Sequence, residues 1–422
     1  MVLKEKIAKT LPAFQYRNFR LFWSGQLISL IGTWMQTVAL GWLVLSISNS
    51  AFYVGLLGTL TFLPVLIFSL FAGIMADRVD KRRLIILTQT SALFQALILA
   101  VLLSVGHIAI WSIMVLAVLL GTINAFDAPA RQSFVSEMVP REHVVSAVAL
   151  NSAIFNSART IGPAVAGFLI SLVGEAACFY INAGSFIAVI AGLLLMRDSE
   201  LYHAPVHDHA APIAELKEGF RYVRGERRAL GMLALLAVSS IFGFPALVLL
   251  PVFARNVLHV GPKGLGFLFA AAGIGSLVGA LRLATTKRAG KQGRRILLTS
   301  SLFALAIMGF SSSHNFYLSL VLVAVAGFGI ISSMALTNST LQTLAPPHLR
   351  GRVMSIYVFV MMGMMPPGNF LAGTAAHYLG APRAVLLAGV ACLALLGATV
   401  ARYPGVLRID VQAEGAPVIP PI

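Results

Sequence analysis

Charge is what this chain has least of. Asp, Glu, Lys and Arg make up 11% of its 422 residues, against 58% hydrophobic residues. Soluble domains carry about 25% charged residues, and a soluble fold of this size could not build a hydrated surface from so few. Cysteine is nearly missing. Cys178 and Cys392 both lie inside apolar runs, which argues against a disulfide framework and reads as two small core residues. Acidic residues number 15 against 31 Lys and Arg. In a soluble protein a net charge of +16 would suggest nucleic acid. Here the bases sit at the ends of apolar runs, where membrane topology accounts for them and no nucleic acid is implied. No GxSxG, HExxH or Walker loop and no His/Asp cluster occurs within those runs. A membrane-embedded enzyme therefore has no nucleophile–base pair or metal set to work with, and neither cofactor nor metal is expected.

What is present is a succession of apolar runs, each long enough to cross a hydrocarbon core of about 30 Å. In lipid the backbone must satisfy its own hydrogen bonds, so such runs are helices. Twelve are read, at roughly 18–47, 51–76, 84–104, 108–129, 144–171, 175–196, 229–254, 264–285, 295–312, 316–342, 353–378 and 382–402. The start is basic and polar and the first run is too long for an h-region, so no cleavable signal peptide is expected. With the N-terminus in the cytoplasm, all Lys and Arg fall on the cytoplasmic side except Arg159, inside a span, and Arg255, Lys263 and Arg383. That segregation supports twelve spans with both termini cytoplasmic, in a cell inner or plasma membrane.

The expected organisation is an N-terminal six-helix bundle (1–196), a cytoplasmic linker (197–228), a C-terminal six-helix bundle (229–404) and a tail (405–422) that is poorly ordered. In the linker, His203, His207, Asp208 and His209 read as a solvated segment rather than a metal site, since no complete ligand set follows. Ile213, Leu216, Phe220 and Val223 recur at helical spacing, which predicts an amphipathic helix on the cytoplasmic face between the halves.

The halves are copies. Sliding the chain by 206 residues superimposes Gly25 on Gly231, Gly55 on Gly261, Gly58 on Gly264, Gly73 on Gly279, Gly121 on Gly327, Gly162 on Gly368, Gly167 on Gly373 and Gly174 on Gly380. Six spans per half preserve direction, so these are parallel repeats about an axis along the membrane normal. The paired glycines suit close helix approach.

Four stretches carry a resemblance. Gly73-Ile-Met-Ala-Asp77-Arg78-Val-Asp80-Lys81-Arg82-Arg83 resembles the loop between helices 2 and 3 of the major facilitator superfamily, with Asp80 where that loop has its second glycine. The segments Phe126 to Gln132 and Asn151 to Gly167, with Leu349 to Ser355, are similar to the superfamily's exporter branch that includes the enterobactin exporter. The resemblance covers nearly the whole chain. It implies an all-α fold of twelve transmembrane helices in two pseudo-symmetric bundles, and a secondary transporter rather than an enzyme. It also implies that the loop is a latch between the halves, acting through Gly73, Asp77, Arg78 and Arg82. Gly162-Pro163-x-x-x-Gly167 resembles the helix-5 signature of the superfamily's antiporters. Pro163 removes a backbone donor and bends the helix, which fits a hinge or seal, or packing alone.

Polar groups inside the spans are the candidates for transport. Arg159 lies near mid-membrane, at the end of a polar stripe formed by Ser152 and Asn156. It reads as a contact for an anionic or polar substrate or a coupling carboxylate, or else as a structural salt bridge. Asp127, near one end of the fourth span, reads as the proton-coupling candidate or as a local partner of Arg131 at i, i+4. In the superfamily helices 1, 4, 7 and 10 line the cavity. Thr33, Gln36, Asn124 and Asn338 lie on those helices and, with Asn156, complete the candidate substrate contacts. The expected function is export of a small amphiphilic, siderophore- or drug-like molecule by alternating access with proton antiport, by a monomer in the lipid bilayer. An importer or a lysophospholipid flippase of the same fold is the alternative.

Overall fold

A computed structural model describes residues 11–202, 212–285 and 290–411. Twelve helices among them are long and apolar enough to cross a membrane. Helices 1 to 6 are Arg17–Ser48, Ala51–Arg78, Lys81–Ser104, Ile110–Glu137, Val144–Val173 and Glu175–Leu194. Helix 7 is Arg227–Val257. Helices 8, 9 and 10 are Gly261–Thr285, Gln292–Ser311 and Phe316–Leu344, helix 11 runs as Arg350–Gly363 and Met365–Leu379, and helix 12 is Ala381–Arg402.

The helix ends follow local chemistry. Helices 5 and 11 stop at Gly174 (φ 81°) and Gly380 (φ 82°). These glycines are repeat partners, and both hold the left-handed backbone that glycine adopts without strain. Asp80 departs from the family's glycine for a reason visible at the start of helix 3. Its carboxylate accepts the Arg83 backbone N–H at 3.0 Å and caps the helix, as N-cap carboxylates do. The helix therefore begins at Lys81 rather than 84. Helix 4 runs on through Pro129 to Glu137, eight residues beyond its expected end, and carries Arg131 in helical register with Asp127.

Helix 7 is the least regular span. Ser239–Gly243 and Phe253–Val257 are π-helical, and Pro245 and Pro251 follow or sit between them. Helix 1, its repeat partner, is one unbroken α-helix of 32 residues. Helix 11 breaks at Met364, ahead of Pro366 and Pro367.

The described chain forms two compact units, Met1–His209 with Ala254–Ala270, and Ala210–Phe253 with Ala271–Ile422. In the first, Phe19, Phe22, Ile85, Phe134 and Met138 form a fully packed apolar core. The glycine repeat does equivalent work in each unit. In the first, Gly121 packs on Thr61 and Pro64 of helix 2, and Gly162 on Ile31 and Trp34 of helix 1. In the second, Gly327 packs on Ala272 of helix 8, and Gly368 on Ile241 and Pro245 of helix 7. Helix 4 thus meets helix 2 as helix 10 meets helix 8, and helix 5 meets helix 1 as helix 11 meets helix 7.

One expectation needs correction. The tail is ordered as far as Val411. Pro404–Arg408 is a 3-10 turn, Val406 is buried against Gly293, and Asp410–Val411 pairs with Gly290–Lys291 as a two-stranded antiparallel ladder. The linker helix, Pro212–Gly225, forms. Val223 is buried while Phe220 is 55% exposed. The helix docks with Gly219 against Arg352 and Ile356, a Glu218–Arg352 ion pair, and the Tyr222 hydroxyl donating to Leu344 O at 2.9 Å. His203, His207, Asp208 and His209 lie outside the described residues.

Candidate functional site

The first unit holds a buried ionic cluster on helices 1, 3 and 4. Asp127 is 2% exposed. Its Oδ1 accepts Thr88 Oγ1–H at 2.7 Å and Gln89 Nε2–H at 2.9 Å. Its Oδ2 stands 2.5 Å from Arg131 Nε, and Arg131 Nη1 donates to Gln26 Oε1 at 2.9 Å. Two hydrogen bonds and an ion pair thus hold this buried carboxylate in place, as a buried charge requires. Glu137, at the end of the same helix, pairs with Lys81 at 2.6 Å.

Arg159 is different. It sits midway along the 30-residue helix 5, half-buried, with its guanidinium carbon 5.9 Å from the centroid of the Trp34 ring. It makes no ion pair or hydrogen bond among the described residues. Insertion scales place a central Arg at roughly +2.5 to 3.5 kcal/mol, and such residues turn toward the bundle interior or water. A cation–π contact returns about 0.5 to 2 kcal/mol and leaves the N–H donors unfilled. Trp34 also meets Phe155 edge-on, with centroids 5.9 Å apart.

The neighbouring candidates divide. Asn156 donates through Nδ2 to Ser152 O at 2.8 Å, one turn before Arg159. Thr33 donates to Ser29 O at 2.9 Å, back-bonded to its own helix and half-buried beside Trp34. Asn124 is half-buried on helix 4. Gln36 is 2% exposed, and both ends of its amide are taken. Its Nε2 donates to Gln95 Oε1 at 3.0 Å and its Oε1 accepts Asn182 Nδ2–H at 2.7 Å. Gln36 is a tie between helices 1, 3 and 6, and sequence reading missed both partners, which lie 59 and 146 residues away. The available signal was three amides embedded in otherwise apolar spans. In the second unit, Asn338 Oδ1 accepts Gln342 Nε2–H at 2.8 Å, and Ser333 and Thr337 back-bond to their own helix. Ser240, in the first π segment of helix 7, is buried with no partner for its Oγ among the described residues.

The loop and hinge candidates also separate. Arg82 binds the end of helix 6: its guanidinium donates to Leu193 O at 2.8 Å, Leu194 O at 3.2 Å and Met196 O at 3.4 Å, and pairs with Asp198. Arg78 is exposed. The Asp77 side chain lies outside the described residues. Gly73 does not serve close packing, because a Cβ there would meet nothing within 4 Å. Its repeat partner Gly279 is packed on Phe328 and Ser332. Gly162 and Gly167 are both tight. A Cβ at Gly162 would lie 2.6 Å from Trp34 Cβ, and one at Gly167 would lie 2.5 Å from Pro262 O and 2.9 Å from Gly266 Cα. Pro163, buried between them, lies inside a helix that stays continuous.

Comparison with known proteins agrees with this architecture. The family described as transmembrane secretion effector, of the major facilitator superfamily, matches residues 8–414. The chain is 27% identical to the staphyloferrin A transporter of Staphylococcus aureus over 89% of its length and 94% of that protein. It is 28% identical to the multidrug efflux pump Tap of Mycolicibacterium fortuitum, covering 91% and 95%, and 24% identical to macrolide efflux protein A of Streptococcus pyogenes, covering 90% and 96%. Among solved structures, a bacterial homologue of the human lysosomal transporter Spinster aligns with a TM-score of 0.70 at 14% identity over 93% of this chain and 97% of that one. A POT family transporter in complex with 5-aminolevulinic acid aligns at 0.73, with 10% identity over the same shares. The fold is that of the major facilitators, and the family and relatives are transporters rather than enzymes. This multi-pass membrane transporter therefore belongs to the transmembrane secretion effector family of the major facilitator superfamily.

Proposed function

We propose that the protein is a secondary exporter of a small amphiphilic molecule, siderophore- or drug-like, working by alternating access with proton antiport. The observation that carries this reading is the kind of relative found along nearly the full length of both chains. Efflux pumps for differing cargoes and a siderophore transporter align over about nine-tenths of the chain. We place both termini in the cytoplasm and the protein, as a monomer, in the plasma membrane, on the segregation of Lys and Arg. Arg159, Asn156, Asn124, Thr33 and Asn338 are the proposed substrate contacts. Gln36 supports them by fixing helix 1 against helices 3 and 6. Gly162, Pro163 and Gly167 form the hinge, and the Gly73–Arg82 loop the latch, with Arg82 anchored on helix 6.

Asp127 is the proposed coupling group. Protonating its Oδ2 would end the ion pair with Arg131, while Oδ1 still accepts from Thr88 and Gln89, and so would free the Arg131 side chain that reaches Gln26 of helix 1. Everted membrane vesicles test direction and coupling. Expected are uptake of cargo into everted vesicles when their lumen is acidified, collapse of that uptake by an uncoupler, and a cargo-induced pH change that Asp127→Asn removes. Uptake into right-side-out vesicles with none into everted ones identifies an importer and ends the export reading.

A further inference from the structure

Resting on the export reading, we propose that the cargo is an anion: a carboxylate-bearing amphiphile whose carboxylate pairs with Arg159 while its apolar body lies against Trp34 and Phe155.

Among the described residues of the first unit, the other buried charges on helices 3 and 4 are already answered. Asp127 has Arg131, Thr88 and Gln89, and Lys81 has Glu137. Arg159, at the centre of helix 5, has an aromatic face and, among the described residues, no acceptor. A guanidinium presents five N–H donors in a planar fork, and Trp34 fills none of them. The fork matches a carboxylate with two parallel hydrogen bonds. An intramembrane charge left without a protein partner points to a functional contact.

The surroundings define the rest of the ligand. Gly162, one turn beyond Arg159, lets Ile31 and Trp34 of helix 1 come against helix 5, so the indole is fixed beside the guanidinium. Phe155, one turn before Arg159, stands edge-on to the indole and is 45% exposed. Two aromatic surfaces thus flank the charge and suit a planar or branched apolar body. Asn156 spends its Nδ2 on Ser152 O, which leaves its Oδ1 as an acceptor for a hydroxyl or amide N–H of the cargo. The same arrangement selects by sign, because a cationic amphiphile placed on these aromatics would face Arg159 with no carboxylate beside it. Met365 holds the equivalent position in the second half, so the repeat supplies no second Arg there.

Three probes that differ in charge on one fluorophore test this with the full-length protein in lipid nanodiscs: dansylglycine, its neutral amide and the cationic dansylcadaverine. The wild-type protein is expected to bind the carboxylate about tenfold or more tightly than the amide, in line with a charge-assisted hydrogen-bonded pair, and the cation most weakly. Arg159→Gln should bring carboxylate and amide to equal affinity, Arg159→Lys should keep part of the preference, and Trp34→Ala should weaken all three alike. Wild-type binding that ignores charge, favours the cation or is undetectable for all three overturns the proposal, and so does a carboxylate preference that Arg159→Gln retains. Should Arg159→Gln fail to insert, the wild-type ranking decides. Uptake of the same probes into everted vesicles separates the two readings. Charge-selective binding without uptake sinks export and leaves the anion site, whereas uptake without charge preference leaves export and sinks the anion site.

Discussion

Asp127 and Arg131 stand one helical turn apart on helix 4 with Oδ2 and Nε 2.5 Å apart, the carboxylate buried and the guanidinium side chain 24% exposed. Removing one member leaves the other a largely buried charge without its counter-ion, which in proteins costs about 3 to 5 kcal/mol, more than the pair contributes over neutral packing. Asp127→Ala is therefore expected to lower the thermal stability of the detergent-solubilised protein by about 3 kcal/mol, and Arg131→Ala by a similar amount. The double variant should lose clearly less than the sum of the two. Additive losses in a thermal-shift cycle would mean that the pair is not coupled.

A second prediction concerns Gln36. Its two hydrogen bonds cross to Gln95 and Asn182 in the core of the first unit. Interhelical hydrogen bonds in membranes contribute about 0.6 kcal/mol on average and up to about 1.7. Gln36→Ala should cost about 1 to 2 kcal/mol in melting experiments while the affinity for cargo stays unchanged. A large rise in cargo Kd at unchanged stability would return Gln36 to the substrate contacts.

How much of this was legible in the sequence follows from the range of each interaction. The twelve spans, the repeat and the Asp127–Arg131 pair were readable, because hydrophobicity, periodicity and an i, i+4 spacing are local quantities. The helix 4 extension was not, because a proline inside an apolar helix marks a stop as often as it is passed. Gln36 was misjudged because its partners are far along the chain, and a polar stripe on helix 1 looks the same whether it faces a cavity or two other amides. Periodicity put Phe220 and Val223 on one apolar stripe of the linker helix but did not say what the helix docks against. The helix docks through Gly219, Tyr222 and Val223, a choice made by helices 10 and 11. For Arg159 the sequence named the residue and its depth, and the structure supplied Trp34 and the want of an acceptor among the described residues.

Arg82 gives a third prediction. It donates to three carbonyls at the end of helix 6 and pairs with Asp198, satisfying groups that a helix C-terminus leaves open. Arg82→Ala should raise amide hydrogen exchange at the last turn of helix 6 and around Arg197, with helix 1 unaffected beyond its first turn. Arg82→Lys should rescue only part of the protection, since an ammonium lacks the planar fork that reaches several acceptors at once. Unchanged exchange at Leu193 to Met196 in Arg82→Ala would remove this anchoring role.

The fourth prediction sets two glycines of one unit against each other. Gly73 and Gly162 both belong to motifs that resemble the family's, and both have glycine partners in the repeat. Their surroundings differ. A Cβ at Gly162 would lie 2.6 Å from Trp34 Cβ and 2.8 Å from Ile31 O, and neither a fixed indole stem nor a helix backbone yields easily. Gly162→Ala should therefore cost about 1 to 3 kcal/mol through overpacking. It should also disturb cargo binding, because relieving the clash moves Trp34 away from Arg159. A Cβ at Gly73 meets nothing within 4 Å, and alanine in a helix interior is favoured over glycine by about 0.5 to 1 kcal/mol. Gly73→Ala should thus leave stability unchanged or slightly raised in thermal unfolding. Any loss of transport it causes then reports on a conformation other than this one, in which the Gly73 face is covered. Equal destabilisation by both substitutions would contradict the packing described for helices 1, 2 and 5.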